Sequence, residues 1–268
     1  MKKLCSLFLV SCLIFSNFTF LKANEENKRI LSYHSLPSKT PQKAPNTNIA
    51  SAINYNLPKK YDARTFNYTT SVKDQYVFGD CWAFGAISAT ETNLIKKGIA
   101  TQDINLSEYQ LLYHYYHRTS DPLNLSEGDS YNAISAKYYE AGGNNELTAV
   151  YLSTWGALIS DELAPHPTLK SEIYDVSDDL NYAAEYIIRN SITIDGKNHQ
   201  AIKQALMKYG ALSSAYYSDS SSEVYHPYCY VANQTYSNHA ITLVGYDDTI
   251  SKDLFYPDTP SRDKTILS

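Results

Sequence analysis

The 268-residue sequence predicts an α+β protein, in which a mainly helical lobe is followed by a mainly stranded lobe. Apolar residues recur at helical spacing directly after Cys81. The pattern then changes from helices to strands near residue 185, and a nearly continuous apolar strand runs over 238–248. A chain of this length can bury a full-sized core, either in one domain or in two closely packed lobes.

Residues 1–23 have the pattern of a secretory signal peptide. Two lysines precede the apolar run Leu4–Phe20, and an acceptable cleavage site ends at Ala23. Leu9–Cys12 also fits a bacterial lipobox, which would place a lipid anchor on Cys12. The apolar sequence continues well past Cys12, so the cleaved signal is the favoured interpretation, and stable membrane insertion is not expected. We therefore expect a secreted or cell-surface protein.

Residues 24–57 predict a linker or a short pro-segment, because they are polar, contain prolines and lack periodicity. The folded domain is then expected to cover 58–268. Removal of 1–23 takes away three of the 23 basic residues and none of the 28 acidic ones, which leaves a net charge of −8. An acidic chain without a basic patch is not expected to bind nucleic acid.

The mature chain would keep two cysteines, Cys81 and Cys229, so no disulfide framework is predicted. We interpret Cys81 as a reactive thiol and Cys229 as incidental. His114 and His117 lie three positions apart in a predicted helix. Two histidines without an acidic or cysteine partner nearby are a weak metal signal, so neither a metal nor a cofactor is predicted.

The stretch that carries the chemistry begins at Gln75. Asp80 is a good N-cap for a helix that starts at Cys81, and Gly98 suits its C′ position. A thiol at a helix N-terminus feels the positive end of the macrodipole, which favours the nucleophilic thiolate. Gln75 lies six positions earlier, and its amide together with the Cys81 N–H would form an oxyanion hole.

Further elements follow from capping and periodicity. Ser107 and Gln110 fit a capping box at the start of a second helix. The remaining predictions are helices over Ala133–Ala141, Glu146–Trp155 and Asn198–Tyr209, each with a glycine at its end, and a strand over Ala211–Tyr217.

His239 opens the apolar strand Asn238–Asp248 and is the candidate base. Nucleophile and base are commonly far apart in sequence and adjacent in the fold. His239 would take the Cys81 proton, which would give a thiolate–imidazolium pair with a nucleophilic sulfur.

Both motifs resemble those of papain-like cysteine proteases. The family has Gln six positions before a Cys-Trp that opens the central helix, as in Gln75 to Trp82, and an Asn-His-Ala followed by apolar residues and Gly-Tyr-Asp, as in 238–247. The resemblance implies a two-lobe fold, with the Cys helix in a helical lobe, the His in a strand-rich, barrel-like lobe, and the active-site cleft between them. It implies a polypeptide substrate, whose backbone would pair with Gly142 and Gly143 on the cleft wall.

The sequence departs from the family pattern at several positions. Tyr76 and Phe78 stand where the family usually has Gly and a second Cys, and Asp80 often corresponds to Ser. The family's Asn-Ser-Trp-Gly segment, which orients the His, is absent after His239, so we expect a C-terminally truncated domain with weakened or no activity. Asp247 and Asp248 are candidate substitutes for that Asn. The alternatives are an inactive extracellular peptide-binding module on this fold and a transglutaminase-like acyl transferase, which the Gln75 spacing disfavours.

Overall fold

The computed structural model describes residues 56–117, 137–154, 156–181, 183–218, 236–251 and 254. The predicted signal peptide, nearly all of the predicted linker, and Cys229 lie outside these residues. Four α-helices occur among the described residues: α1 Cys81–Lys96, α2 Glu108–Tyr116, α3 Asn145–Ser153 and α4 His199–Tyr209. Four strands accompany them: β1 Lys60–Asp62, β2 Leu212–Tyr216, β3 His239–Leu243 and β4 Gly245–Asp247.

Helix α1 is the centre of the fold, and it packs against α2, α3, β2 and β3. It begins at Cys81 as predicted, and Gly98 lies just beyond its end with a positive φ of 67°. Polar residues such as Glu91 and Asn93 are as buried as Leu94, so the helix is enclosed on all sides along most of its length. The thiol-bearing end of the helix is therefore held by the rest of the protein rather than exposed on a surface.

The residues that the structure describes form two apolar cores against α1. The first is helical and aromatic, with Trp82, Leu94 and several tyrosines of α2 among its members. The second joins α4 to the strands through residues such as Leu206, Leu243 and Tyr246. This division agrees with the predicted arrangement of a helical and a stranded lobe.

The strands form two antiparallel pairs, β1 with β4 and β2 with β3. In the second pair Tyr216 lies opposite His239, and Leu212 lies opposite Leu243. The single strand predicted over 238–248 is therefore wrong in one respect, because it divides at Val244 into β3 and β4, which belong to different sheets. A Cβ at Gly245 would collide with the carbonyl oxygen of Tyr61, so this change of sheet requires glycine.

Most of the other predicted elements are confirmed, with two differences. Asn198 caps α4 through Ala201 N–H at 3.0 Å, and Ser107 caps α2 through Gln110 N–H at 2.8 Å. The Ser107 N–H, however, donates to the carbonyl of Ile159 at 2.9 Å, so it does not complete a reciprocal capping box with Gln110. The described end of the predicted 133–141 helix is a single 3₁₀ turn, Tyr138–Glu140.

A buried ion cluster fixes the segment that leads into α1. Lys73 Nζ lies 2.9 Å from Glu91 Oε1 and 2.7 Å from Glu108 Oε1, and both carboxylates are almost fully buried. Burial raises the pKa of Glu108 to about 7, although Lys73 opposes this shift. No helix among the described residues is both long enough and apolar enough to cross a membrane.

Candidate active site

Cys81 lies at the first position of α1, and the residue is 9% exposed. Its Sγ accepts a hydrogen bond from the backbone N–H of Ala240 at 3.4 Å. Farther along α1, the Gly85 carbonyl accepts from Thr242 Oγ1 at 3.2 Å, so β3 runs along the thiol-bearing end of the helix.

His239 is the residue directly before Ala240, and it opens β3. The side chain is half-buried, and its ring packs edge-on against Tyr216 with ring centroids 5.8 Å apart. The structure thus brings together the two segments, 158 residues apart in sequence, that carry the predicted nucleophile and base.

The environment of the Cys81 thiol differs from the sequence-based expectation. Burial raises the pKa of Cys81 above its ordinary value, and the Asp80 charge acts in the same direction. The N–H groups of Ala240, Trp82 and Cys81 favour the thiolate but do not outweigh burial. The helix N-terminus therefore acts in the predicted direction, but the net pKa of Cys81 is raised because desolvation of the charged form is the larger effect.

Asp80 occupies the N-cap position, but its side chain makes no capping hydrogen bond. Its Oδ2 lies 2.7 Å from His166 Nε2, and the two side chains are 0% and 8% exposed. The prediction that Asp80 caps α1 is therefore wrong, because the carboxylate is turned to a buried histidine instead. No local sequence pattern marks His166 as part of the site. The one signal was an acidic residue beside the thiol, which has to be matched by a partner if it is buried.

Phe78 and Gly79 fasten the loop before α1 to the segment that precedes the glycine pair. The Gly79 N–H donates to the Tyr139 carbonyl at 2.7 Å. The Phe78 ring packs edge-on against Tyr139 at 6.1 Å and His166 at 4.9 Å between centroids. An aromatic cluster therefore occupies the place at which the sequence lacks the family's second cysteine.

Gln75 lies in the same loop and is half-buried. Its Nε2 donates to the Phe78 carbonyl at 2.7 Å, which fixes the orientation of the amide. Tyr76 follows with a positive φ of 52°, a conformation in which glycine carries no steric cost. The Tyr76 N–H donates to Asp74 Oδ1 at 2.7 Å, which helps the tyrosine to hold this conformation.

The glycine pair lies against the helix that carries the thiol. Gly142 has a φ of 73°, and its carbonyl accepts from the Tyr116 hydroxyl. A Cβ at Gly143 would fall 2.5 Å from the indole of Trp82, the residue after Cys81. Both positions require glycine on structural grounds alone, one for its backbone angle and the other for close packing.

The two candidate substitutes for the histidine-orienting Asn are engaged elsewhere. Asp247 Oδ2 pairs with Lys60 Nζ at 3.0 Å, and Asp248 pairs with Lys203 Nζ at 2.6 Å. Both carboxylates belong to the β4 side of the break at Val244, whereas His239 begins β3 on the other side.

The chain thus has a cysteine at the start of its central helix and a histidine at the start of the strand that packs along that helix. The model of the papain family of cysteine proteases matches residues 57–256. This chain belongs to the papain family of cysteine proteases.

The chain is also similar to individual members of this group. It is 27% identical over 234 residues to a viral cathepsin of Adoxophyes honmai nucleopolyhedrovirus, and the matched region covers 82% of this chain and 61% of that protein. It is 24% identical over 241 residues to cathepsin S of Bos taurus, and the matched region covers 86% of this chain and 63% of that protein. The chain thus spans less than two thirds of the length of these relatives.

Solved structures support the fold. The cysteine protease and lectin-like domains of Cwp84, a surface layer associated protein of Clostridium difficile, match with a TM-score of 0.59 and 23% identity, over 79% of this chain and 44% of that one. Procathepsin L 3 of the Tenebrio molitor larval midgut matches with a TM-score of 0.54 and 21% identity, over 71% of this chain and 56% of that one. The papain-like α+β fold is thereby confirmed.

Proposed function

We propose that this protein is a cysteine-type peptidase that hydrolyses peptide bonds, with Cys81 as nucleophile and His239 as acid and base. The observation that carries the proposal is the 3.4 Å hydrogen bond from Ala240 N–H to Cys81 Sγ. It fixes the start of β3, and with it His239, at the first residue of α1.

The steps follow from these two groups. His239 takes the Sγ proton, and the thiolate attacks the carbonyl carbon of the scissile bond. His239 then gives this proton to the leaving amine as the C–N bond breaks. Water attacks the resulting thioester with His239 again as base, which releases the acid and restores the thiol.

The oxyanion is assigned to the Cys81 N–H and the Gln75 amide. As the first residue of α1, Cys81 has an N–H without an intrahelical acceptor. One of the two Gln75 amide hydrogens is committed to the Phe78 carbonyl, and the second is the proposed donor.

The substrate is a polypeptide, for which Gly142 and Gly143 supply backbone groups beside Trp82. Because the Gly142 carbonyl already accepts from Tyr116, we assign the main backbone pairing with substrate to Gly143. We further propose a secreted or cell-surface location, consistent with the apolar run Leu4–Phe20, and N-terminal sequencing of the mature protein would test it.

The deciding experiment compares hydrolysis of a quenched fluorescent peptide library, under reducing conditions, by the wild type and by variants. Cys81→Ala and His239→Gln should each lower turnover by at least about 10³-fold, because a nucleophile and its base act as a unit. Cys229→Ala is the matched control and should retain activity. Equal activity of Cys81→Ala and wild type would overturn the assignment.

A second outcome would favour the alternative function, an inactive extracellular peptide-binding module. The raised pKa of Cys81 and the positions of Asp247 and Asp248 away from β3 are the observations on its side. If the folded wild type binds library peptides but cleaves none of them, the chain is a peptide-binding module and not a peptidase.

A further inference from the structure

The geometry of the Asp80–His166 contact determines how many protons the two side chains hold. His166 Nδ1 lies 2.8 Å from the Pro167 carbonyl, which can only accept, so Nδ1 carries a hydrogen. His166 Nε2 lies 2.7 Å from Asp80 Oδ2, and a contact this short needs one further proton between the two atoms. With that proton in place, the pair carries no net charge, whichever atom holds it.

The surroundings favour retention of that proton. The histidine ring lies in an aromatic box, with Phe78 and Phe84 edge-on at 4.9 and 5.2 Å between centroids and Tyr109 at 6.0 Å. Asp80 Oδ1 is buried without a hydrogen-bond partner among the described residues. A carboxylate so poorly solvated is costly to leave unpaired, so loss of the proton is disfavoured.

The segment that carries His166 is itself held in place. The His166 N–H donates to Asp161 Oδ1 at 3.2 Å, and the Ala164 carbonyl accepts from Ser107 Oγ, at the start of α2, at 2.6 Å. His166 therefore connects the loop that precedes Cys81 to the N-terminus of α2.

We propose that Asp80 and His166 form a positioning pair for Cys81, which fastens the loop before α1 to the 161–167 segment. By sharing one proton, the pair offsets part of the effect of the adjacent Asp80 carboxylate on the thiol, so that the thiolate can form. The proposal deepens the proposed function, since it rests on Cys81 as the nucleophile. Loss of the shared proton would leave one negative charge next to the thiol, which would disfavour the thiolate. The other titratable or charged groups around the pair are Cys81 on α1, Glu108 with its partner Lys73, Tyr109 on α2, Tyr76 in the loop, and Asp161.

Two substitutions change the effect of this carboxylate on the thiol in opposite senses, because Asp80 directly precedes Cys81 and still disfavours the thiolate when His166 is its partner. In Asp80→Asn, the new amide N–H would donate to Nε2 of a neutral His166, which keeps the connection and removes the carboxylate charge that His166 offsets only in part. In His166→Gln, the carboxylate would lose its protonated partner and would face the thiol as an unpaired charge.

The test measures the rate at which iodoacetamide alkylates Cys81 in the full chain from pH 5 to 10, by mass spectrometry of the tryptic peptide 74–96. At pH 7 we expect Asp80→Asn to react roughly three- to tenfold faster than wild type, and His166→Gln to react slower by a similar factor, because a nearby charge shifts a thiol pKa by up to a unit or more. The controls are Asp179→Asn at an exposed carboxylate and His117→Gln at a histidine stacked on Tyr113.

Opposite shifts would support the proposal, because a pair with a merely structural role would lower the melting temperature in both variants without this pattern. Unchanged rates, or shifts in the same direction, would overturn it. If His166→Gln does not fold, Asp80→Asn decides alone, and a rate equal to or below that of wild type refutes the proposal. The assay needs no peptidase activity, so the expected shifts without any peptide hydrolysis would refute the proposed function while supporting this pair.

Discussion

Replacement of Lys73 by Met should destabilise the protein in a strongly pH-dependent way. Lys73 Nζ contacts two buried carboxylates, Glu91 and Glu108, and the Leu106 carbonyl at 3.1 Å. The substitution leaves Glu91 with hydrogen bonds from Thr70 Oγ1 and Leu106 N–H, both at 2.8 Å, whereas Glu108 loses its cation.

The sign follows from the pKa of Glu108, which is raised from 4.5 to about 7 in the folded protein. A carboxyl with a raised folded pKa contributes stability that is fully present below its unfolded pKa and is lost as pH rises through the folded pKa. The window for Glu108 is therefore about pH 4.5 to 7, and the shift corresponds to about 3 kcal/mol at about 1.4 kcal/mol per unit. The wild type itself should lose part of its stability across this window.

Because Lys73 lowers the Glu108 pKa, its removal should raise this pKa further and extend the loss to higher pH. We expect Lys73→Met to cost about 3–5 kcal/mol at pH 8, where Glu108 would either stay charged in a buried site without its lysine or have to take up a proton. At pH 5 Glu108 is protonated, and the loss should be smaller by about 2 kcal/mol.

The measurement is urea unfolding at pH 5 and pH 8, with Lys137→Met as control. Lys137 pairs with Glu140 at 3.8 Å on the surface, and loss of such a pair costs at most about 1 kcal/mol at either pH. Glu108→Gln in the Lys73→Met background should abolish the difference between the two pH values. Equal losses at pH 5 and pH 8 in Lys73→Met would refute the reasoning.

Three further predictions concern the loop and the glycine pair. Gln75→Ala should lower kcat by roughly 10²-fold or more with little change in KM, because an oxyanion donor acts in the transition state. The control is Gln102→Ala, which removes a surface side chain that donates to the Thr69 carbonyl. An effect of Gln75→Ala confined to KM would contradict the oxyanion role. Gly143→Ala should lower the melting temperature, with a cost of about 1–3 kcal/mol, since its Cβ would strike the Trp82 indole, whereas Gly196→Ala has open space and should be neutral. Phe78→Ala should cost about 3–5 kcal/mol in urea unfolding, because Phe78 is 3% exposed. The control Phe66→Ala, at a residue that is 54% exposed, should cost far less, and similar losses would argue against the aromatic cluster.

The parts of the fold that the sequence predicted well are those set by local signals. The start of α1 at Cys81, the glycine beyond its end at Gly98 and the Asn198 cap of α4 depend on residues within one helical turn of each boundary. The break at Val244 depends on the close approach of Gly245 to Tyr61, which is a contact across 184 residues of chain and leaves no local pattern.

The candidate site likewise combines residues that local motifs predict with contacts that depend on distant parts of the chain. Cys81 and His239 were identified from their motifs, and the structure brings their segments together. Asp80 could not be assigned from its neighbours, because its partner His166 lies 86 residues farther along a chain that contains seven histidines. The net direction of the Cys81 pKa shift does not follow from the sequence either, since the burial of the thiol depends on how β3 packs against it.

The construction of the loop before α1 follows from these contacts. Where the family usually has a cysteine, Phe78 is held between Tyr139 and His166, and the same histidine holds Asp80. One histidine thus takes part both in the packing of the loop and in the contact with Asp80, the residue before Cys81. Ring packing does not respond to reductant, so the position of the loop before α1 should not depend on redox conditions. The proposed Asp80–His166 contact, in contrast, should weaken at the pH at which the shared proton is lost.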